Sequence, residues 1–503
     1  MSDKKIIQED GENILPITHE TCVLDDEGNP ITETIGDVSL LNTESRNLVG
    51  AVNEVFGNII KEQVVDVLVD NGVEAITSES WSGLIEKIDT GLENISKIEE
   101  TRNKLVELMQ SGGYEITGEE DIDSLLEVLT LSGLQISGIK QIACGNGFTF
   151  VLNKDDSLWS CGYNYNLQLG LEHRNSNKAF AQVNINNVKF VCCGDQCTFV
   201  LKNDGTLWGC GSNSAGQFGN GTTNGEYSKF TSLNVNNVKQ IACTGSSIYV
   251  VKNDNSLWVC GLNNQGQLGL GHKTNITAFT QVTSIGNTVK EVISGTDHVF
   301  IIKNDGTLWG CGNNTSGALG LGNKNEALVF TQVITNINND IKQVICGYSY
   351  SFIIKTDGTL WGCGDNYYGV LGFNDTTTRT TFTQVTSMGN DNKEAHAFYV
   401  HSFVIKNDGS LWGCGYNETG QLGLGNTTKQ YTTFQQVTTN INNDVKQVIC
   451  GGGYLGGNRG FTYILKNDGS ILSTGHNSNG ELGLNNSSSP ITTFTAVPKG
   501  FTY

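Results

Sequence analysis

Four short apolar segments recur in a fixed order along most of the chain, each bounded by Gly, Asn or Asp. One copy reads VKQIACTG (Val238–Gly245), SIYVV (Ser247–Val251), SLWVCG (Ser256–Gly261) and, after a long polar loop, FTQV (Phe279–Val282). The pieces are β-branched or aromatic and too short for helices, so each predicts a strand. Between the second and third lies KNDG or a close variant, as at Lys202–Gly205, Lys303–Gly306, Lys406–Gly409 and Lys466–Gly469. An Asp-Gly pair between apolar runs predicts a tight hairpin, because glycine adopts positive φ without steric cost. The third segment is the clearest marker of the period. It appears as LWSCGYNYNLQLG at Leu158–Gly170 and LWGCGSNSAGQFG at Leu207–Gly219, and last as a worn ILSTGHNSNGELG at Ile471–Gly483. Trp159, Trp208, Trp258, Trp309, Trp361 and Trp412 mark a spacing of 49 to 52 residues. Four strands per period and seven periods predict a mainly β fold, a seven-bladed β-propeller of four-stranded blades. Closure is expected to bring Phe494–Val497 beside the first blade, zipping the two ends together.

The pattern changes ahead of Ile139. Residues 1–35 are polar, with turn signals at Leu15–Pro16 and Asp25–Pro30, and read as an extended leader or a small strand-and-turn unit. Leu48, Val52, Val55, Phe56 and Ile59 then fall at helical spacing behind the candidate caps Thr43 and Ser45. Two further segments, Val64–Ile88 and Leu105–Leu129, align with each other at an offset of 41 residues. Each reads as helix, Gly stop and a Thr/Ser-capped second helix. The apolar positions between them serve either an oligomerising seam or packing of one helix pair on the other. The expected organisation is a leader (1–35), an acidic helical region with two helix-pair repeats (36–138) and the propeller (139–503).

Charge sharpens this division. The net charge is −20, and residues Met1–Gly138 hold 8 Lys+Arg against 29 Asp+Glu. The repeats are nearly neutral, which argues against a phosphate backbone as partner. Of the 14 cysteines, Cys161, Cys210, Cys260, Cys311, Cys363 and Cys414 share one repeat position. Cys144, Cys193, Cys243, Cys346 and Cys450 share a second, which Ser294 takes in one copy. Thiols repeated in this way read as small packed apolar groups, and as free thiols of a reducing compartment. A regular disulfide within each blade is the alternative, which Thr474 in the last copy disfavours. Neither a signal peptide nor an apolar run of membrane-spanning length is expected.

Two resemblances bear on these parts. The stretch Gly409–Gly423, with Trp412, Gly415, Asn417, Gly420, Gln421, Leu422 and Gly423 in register, resembles the regulator-of-chromosome-condensation repeat. That resemblance covers about 365 residues and implies the propeller. The chain departs from the pattern in carrying Cys before the glycine, and its last blade lacks the tryptophan. Near the front, Leu41, Asn42, Thr43, Asn47, Leu48, Val49, Ala51, Val52, Asn53, Glu54 and Val55 resemble a segment of bacteriophage tail-fibre and tail-appendage proteins. This second resemblance implies a virion-tail or tail-like-particle location, with assembly in the bacterial host cytoplasm.

Strand alternation places the loops after both Cys-Gly sites on one face of the ring and the KNDG turns on the other. The turn face is monotonous and the Cys-Gly face varied. Its candidate receptor-binding residues are Tyr163, Tyr348, Tyr350, Asp365, Tyr367, Tyr368, Tyr416, Tyr454, Arg459 and His476. Aromatic rings beside amides suit sugars, although solvated loop tips would look the same. The recurring Asn164, Asn213, Asn263, Asn314, Asn366, Asn417 and Asn477 read as turn stabilisers. Seven histidines show no metal-ligand spacing, and His396 and His401 are expected to pack. Asp365 and Glu418 could be drawn as a glycosidase pair, but nothing in their spacing singles them out. No enzyme activity, cofactor or metal is expected. The leading expectation is a tail fibre or receptor-binding protein, anchored to a tail or baseplate protein through its front and to a host cell-surface glycan or protein through the propeller. It would form a homo-oligomer, a trimer, without nucleic acid or membrane insertion. The alternatives are a structural tail component and a cellular regulator resembling a guanine-nucleotide exchange factor.

Overall fold

In the computed structural model, residues 138–334, 337, 340–453 and 459–498 are described, together with the short antiparallel strands Ile7–Glu9 and Glu12–Ile14. The chain divides into two compact units, Met1–Ile136 and Ser137–Tyr503. Both the tail-fibre-like helix and the two helix-pair repeats lie outside the described residues.

The second unit is the seven-bladed propeller. Among the described residues it forms seven four-stranded antiparallel sheets, each built from consecutive strands. The first blade comprises Ile139–Cys144, Phe148–Asn153, Leu158–Gly162 and Asn177–Val183, and the seventh Val445–Gly453, Arg459–Lys466, Ile471–Gly475 and Ile491–Ala496. First strands of successive blades meet around the axis, and the seventh meets the first. We call the four strands inner, second, third and outer. Burial follows this order. Phe148–Asn153 is buried at all six positions, whereas Asn177–Val183 mixes buried, half-buried and exposed residues. A second strand is thus covered on both faces by its neighbours, which is why it reads as a continuous apolar run.

The core therefore lies between blades. One cluster joins Val251, Phe300, Leu319, Ile353 and Phe382, drawn from the third, fourth and fifth blades. The third-strand thiols complete each seam: Cys210 Sγ donates to Gln168 O, Cys260 to Gln217 O and Cys311 to Gln267 O, each at 3.3 Å. In the last blade Thr474 Oγ1 donates to Gly420 O at 3.0 Å, so a hydroxyl does the thiol's work there. The glycine after each thiol sits where backbones nearly touch. At Gly211, φ is 96° and a Cβ would lie 2.4 Å from Gln196 O.

Two sequence expectations need correction. Phe494 lies in the outer strand of the seventh blade, which pairs with that blade's own third strand, so neither end lends a strand to the other. Val497 does lie beside the first blade, in one cluster with Ile142, Val151, Phe180, Ile449 and Tyr463, whereas Phe494 packs with sixth-blade residues such as Phe403 and Leu422. Thr149 Oγ1 also donates to Glu481 O at 3.1 Å across the seam between the last and first blades. The second correction is Cys192–Cys243, a disulfide joining the inner strands of the second and third blades. Equivalent repeat positions do not face each other; the next-to-last residue of one inner strand faces the last residue of the next. Cys192 is the cysteine that happens to occupy the former position. In the sixth blade that position is His396, whose Nδ1 accepts the Cys450 N–H at 3.1 Å.

The recurring asparagine is fully buried and ties its loop together. Asn263 Oδ1 accepts the Leu268 N–H at 2.9 Å, while its Nδ2 donates to His272 O at 2.7 Å and Thr274 O at 3.1 Å. Asn263→Ala should leave these buried groups unsatisfied and cost about 2–4 kcal/mol, read as a lower Tm.

His298 and His401 begin second strands, where Phe148 and Phe461 stand in the first and seventh blades. Burial lowers His298 from 6.5 to about 4 and His401 to about 3. The unfolded imidazoles protonate first, so stability is intact above pH 6.5 and falls as pH drops towards 4. The pair His298→Phe and His401→Phe should flatten the Tm-against-pH curve in that window; an unchanged slope would count against this account.

Candidate functional site

The two loops of each blade that follow Cys-Gly project on one face, which we call the loop face. The turns between second and third strands lie on the other, the turn face. Each turn is closed by its own residues: Asp204 Oδ1 accepts from Thr206 N and Oγ1, and Trp208 Nε1 donates to Thr206 Oγ1 at 3.0 Å. Lys202 Nζ stands 4.5 Å from the Trp208 ring. Repetition of this unit accounts for the monotony of the turn face.

The loop face gathers tyrosines on the fifth and sixth blades. Tyr367, 67 % exposed, packs edge-on to Tyr368 at 4.9 Å, and Tyr368 to Tyr416 at 5.0 Å. Tyr416 is itself buried, and its hydroxyl donates to Glu418. Asp365 Oδ1 accepts the Tyr367 N–H at 3.2 Å and so shapes the exposed loop. Tyr348 lies 4.7 Å from Tyr399 and packs on the same apolar cluster as Tyr368. Tyr399 has φ 48°, and a bulky residue in that region costs on the order of 1–3 kcal/mol. The two-residue loop Tyr399–Val400, between the paired Phe398 and His401, imposes it.

The remaining expected residues scatter. Tyr350 is not a loop tip: it is 1 % exposed, and its hydroxyl donates to His401 O at 2.9 Å, joining the fifth and sixth blades. His476 is also buried, with Nδ1 against Glu481, because it opens a loop that folds back over the blade. Tyr163 is half-buried on the first blade and Arg459 is exposed on the seventh. Tyr454 lies outside the described residues. The carboxylates of Asp365 and Glu418 are each engaged in local loop bonds, which gives no support to a hydrolytic pair. Among the described residues no group of three or more His, Cys, Asp or Glu is placed to hold a metal ion.

Two carboxylates on this face carried no periodic signal. Asp195 and Asp297 occupy the first loops of the second and fourth blades. The Asp195 N–H donates to Gly245 O at 2.8 Å, and its side chain lies so close that a Cβ on Gly245 would sit 2.6 Å from Oδ2. Burial, with repulsion from Asp297, pushes the Asp195 carboxyl from 3.8 up to about 6; burial also raises Asp297. Among the described residues no donor is hydrogen-bonded to either carboxylate. Tyr165, 64 % exposed, is a further aromatic on this face, with Arg174 5.8 Å from its ring and paired to Glu226. Exposed tyrosines on the same face as carboxylates that have no hydrogen-bonded donor among the described residues suit a partner that brings apolar area and donor groups.

The ultraviolet-B receptor UVR8 of Arabidopsis thaliana is 28 % identical over 203 residues, which is 40 % of this chain and 44 % of that protein. The secretion-regulating guanine nucleotide exchange factor of Bos taurus is 28 % identical over 187 residues, 36 % of this chain and 40 % of its own. The chain thus spans less than half the length of these relatives. Among solved structures, Prp20p from Saccharomyces cerevisiae superposes with TM-score 0.59 at 17 % identity, covering 73 % of this chain and 87 % of that one. Human WBSCR16 gives TM-score 0.56 at 24 % identity, covering 63 % and 85 %. Both support the fold. The model of the RCC1-like domain matches residues 110–457, and the chain belongs to that family.

Proposed function

We propose that this chain is a regulator that acts by binding a protein partner through its loop face, with no covalent chemistry of its own. One observation carries the reading: exposed tyrosines and carboxylates with no hydrogen-bonded donor among the described residues share the loop face, whereas the KNDG turns opposite are closed by their own residues. A small GTPase is the partner class to test first, since a relative of this chain is named a guanine nucleotide exchange factor. The tail-appendage reading rested on a segment outside the described residues, and the comparisons favour the regulator over it.

The test is fluorescent-GDP release from a panel of small GTPases, with parallel binding measurements, using the full chain. Tyr367→Ala and Asp297→Asn should each weaken binding about tenfold, the loss of a well-placed interface contact. A partner whose binding ignores both substitutions would remove the loop face from the proposal. Binding without accelerated release would remove only the exchange activity.

Asp195 makes a separate expectation. Its folded pKa of about 6 exceeds its ordinary 3.8, so the charged form is disfavoured by folding, at on the order of 2–3 kcal/mol at neutral pH. That penalty is relieved as pH falls through 6 and is gone below 3.8. Asp195→Asn should therefore raise Tm at pH 8, with the gain shrinking to nothing near pH 4, and should weaken partner binding. Stabilisation bought at the expense of binding is the signature of a functional carboxylate.

A further inference from the structure

The second residue of every inner strand is a lysine: Lys140, Lys189, Lys239, Lys290, Lys342, Lys393 and Lys446. All seven are exposed. Inner strands start at the turn face and surround the axis, so these residues form a ring around the axial mouth on that face. Two of them reach across to the neighbouring inner strand: Lys140 Nζ donates to Val188 O at 3.3 Å and Lys342 Nζ to Asn392 O at 3.4 Å.

No single structural use accounts for this lysine in every blade: Lys239 Nζ donates to Asn255 Oδ1 at 2.9 Å, while among the described residues the Nζ of Lys189, Lys290, Lys393 and Lys446 makes no hydrogen bond. Other residues repeated in every blade have a structural use: the loop asparagine is buried and bonded, and the turn lysine stacks on tryptophan in blades two to six. The ring lysine is exposed, yet it persists in the sixth blade, where its buried neighbour has become Asn392, and in the seventh, which lacks the tryptophan. Seven like charges around one mouth also repel one another. Lys140 is paired to Asp156 at 2.7 Å, and Glu291 and Glu394 follow Lys290 and Lys393 on their strands. Among the described residues Lys189, Lys290, Lys393 and Lys446 make no ion-pair contact within 4.0 Å.

We propose that this lysine ring binds a compact, multiply phosphorylated small molecule. The size limit follows from what surrounds the ring. The turns just outside it set lysine beside aspartate, as with Lys202 and Asp204, whose carboxyl is held below its ordinary range by hydrogen bonds from Thr206 and by the lysine. The first turn adds Asp156, and Asp340, Asp391 and Asp444 pair with Lys355, Lys406 and Lys466 in the last three blades. The annulus therefore carries no excess positive charge and offers an extended polyanion no continuous track. Only a ligand that stays within the mouth meets several lysines that make no ion-pair contact among the described residues, and phosphates disposed around a small ring can meet lysines on all sides. The near-neutral composition of the repeats conceals this, because balancing carboxylates lie in the surrounding turns and just ahead of the inner strands. The site is on the face opposite the proposed partner surface and stands independently of it.

The test is isothermal titration of the full chain with myo-inositol hexakisphosphate at about 0.15 M salt, where distant charges are screened. A ring variant, K189Q/K290Q/K393Q/K446Q, is compared with K178Q/K229Q/K324Q/K429Q, which removes the same charge from exposed positions outside the ring. Substitution at exposed positions keeps the fold, checked by unchanged Tm. The proposal expects wild-type binding, a loss of at least about 30-fold in the ring variant, less than about threefold in the other, and a steeper salt dependence for wild type. No wild-type binding, or equal losses in both variants, would overturn it. So would ring-dependent binding of a poly-glutamate peptide or a duplex oligonucleotide in preference to the hexakisphosphate.

Discussion

No blade of this ring can satisfy its own buried surface. The second strand is covered on both faces, and each cover is supplied by a neighbouring blade. The thiol of the third strand finds its acceptor on the preceding blade, as Cys260 does on Gln217. A sheet in this position has no stable open form, because a terminal blade would expose an entire apolar face to water. Closure is thus a requirement of the packing. The first and last blades meet it with side chains and backbone contacts, while each keeps all four of its own strands.

That requirement separates the two faces in kind. Within each blade, glycines such as Gly211 and buried asparagines such as Asn263 are held by close backbone approach and by hydrogen bonds to their own loop. The turns are held by their own Asp, Thr or Ser and Trp. The loops beyond Cys-Gly are anchored at their base by the asparagine and left free in sequence at their tips. Recognition can be changed there without disturbing the seams. Unpaired carboxylates and a tyrosine with positive φ are found in those loops, where rigid surroundings can hold such costs.

The fold was readable from repetition alone, because a period near 50 residues with four strand-like segments permits few architectures. Much of the site was readable too. Alternation placed the loop face, and Tyr367, Tyr368 and Tyr416, which hold three different repeat positions, converge because the loops of the fifth and sixth blades are neighbours on it. Tyr350 misled because it already belongs to the buried second strand, and His476 because its loop folds back over the blade. Asp195 and Asp297 were not singled out as site residues because each occurs once, and their character comes from burial across a seam.

Some properties belong to the sequence by itself: the number of blades, the turn chemistry, the mainly β class and the acidity of the first 138 residues. These follow from local pattern and composition, which need no partner to be read. Other properties came only with the tertiary structure: Cys192 bonded to Cys243, the raised Asp195 carboxyl, the seam that closes the ring and the convergence of seven lysines on one mouth. Each of these depends on which non-equivalent positions of adjacent blades face each other. That offset is set by the stagger and curvature of the ring, and no single repeat encodes it.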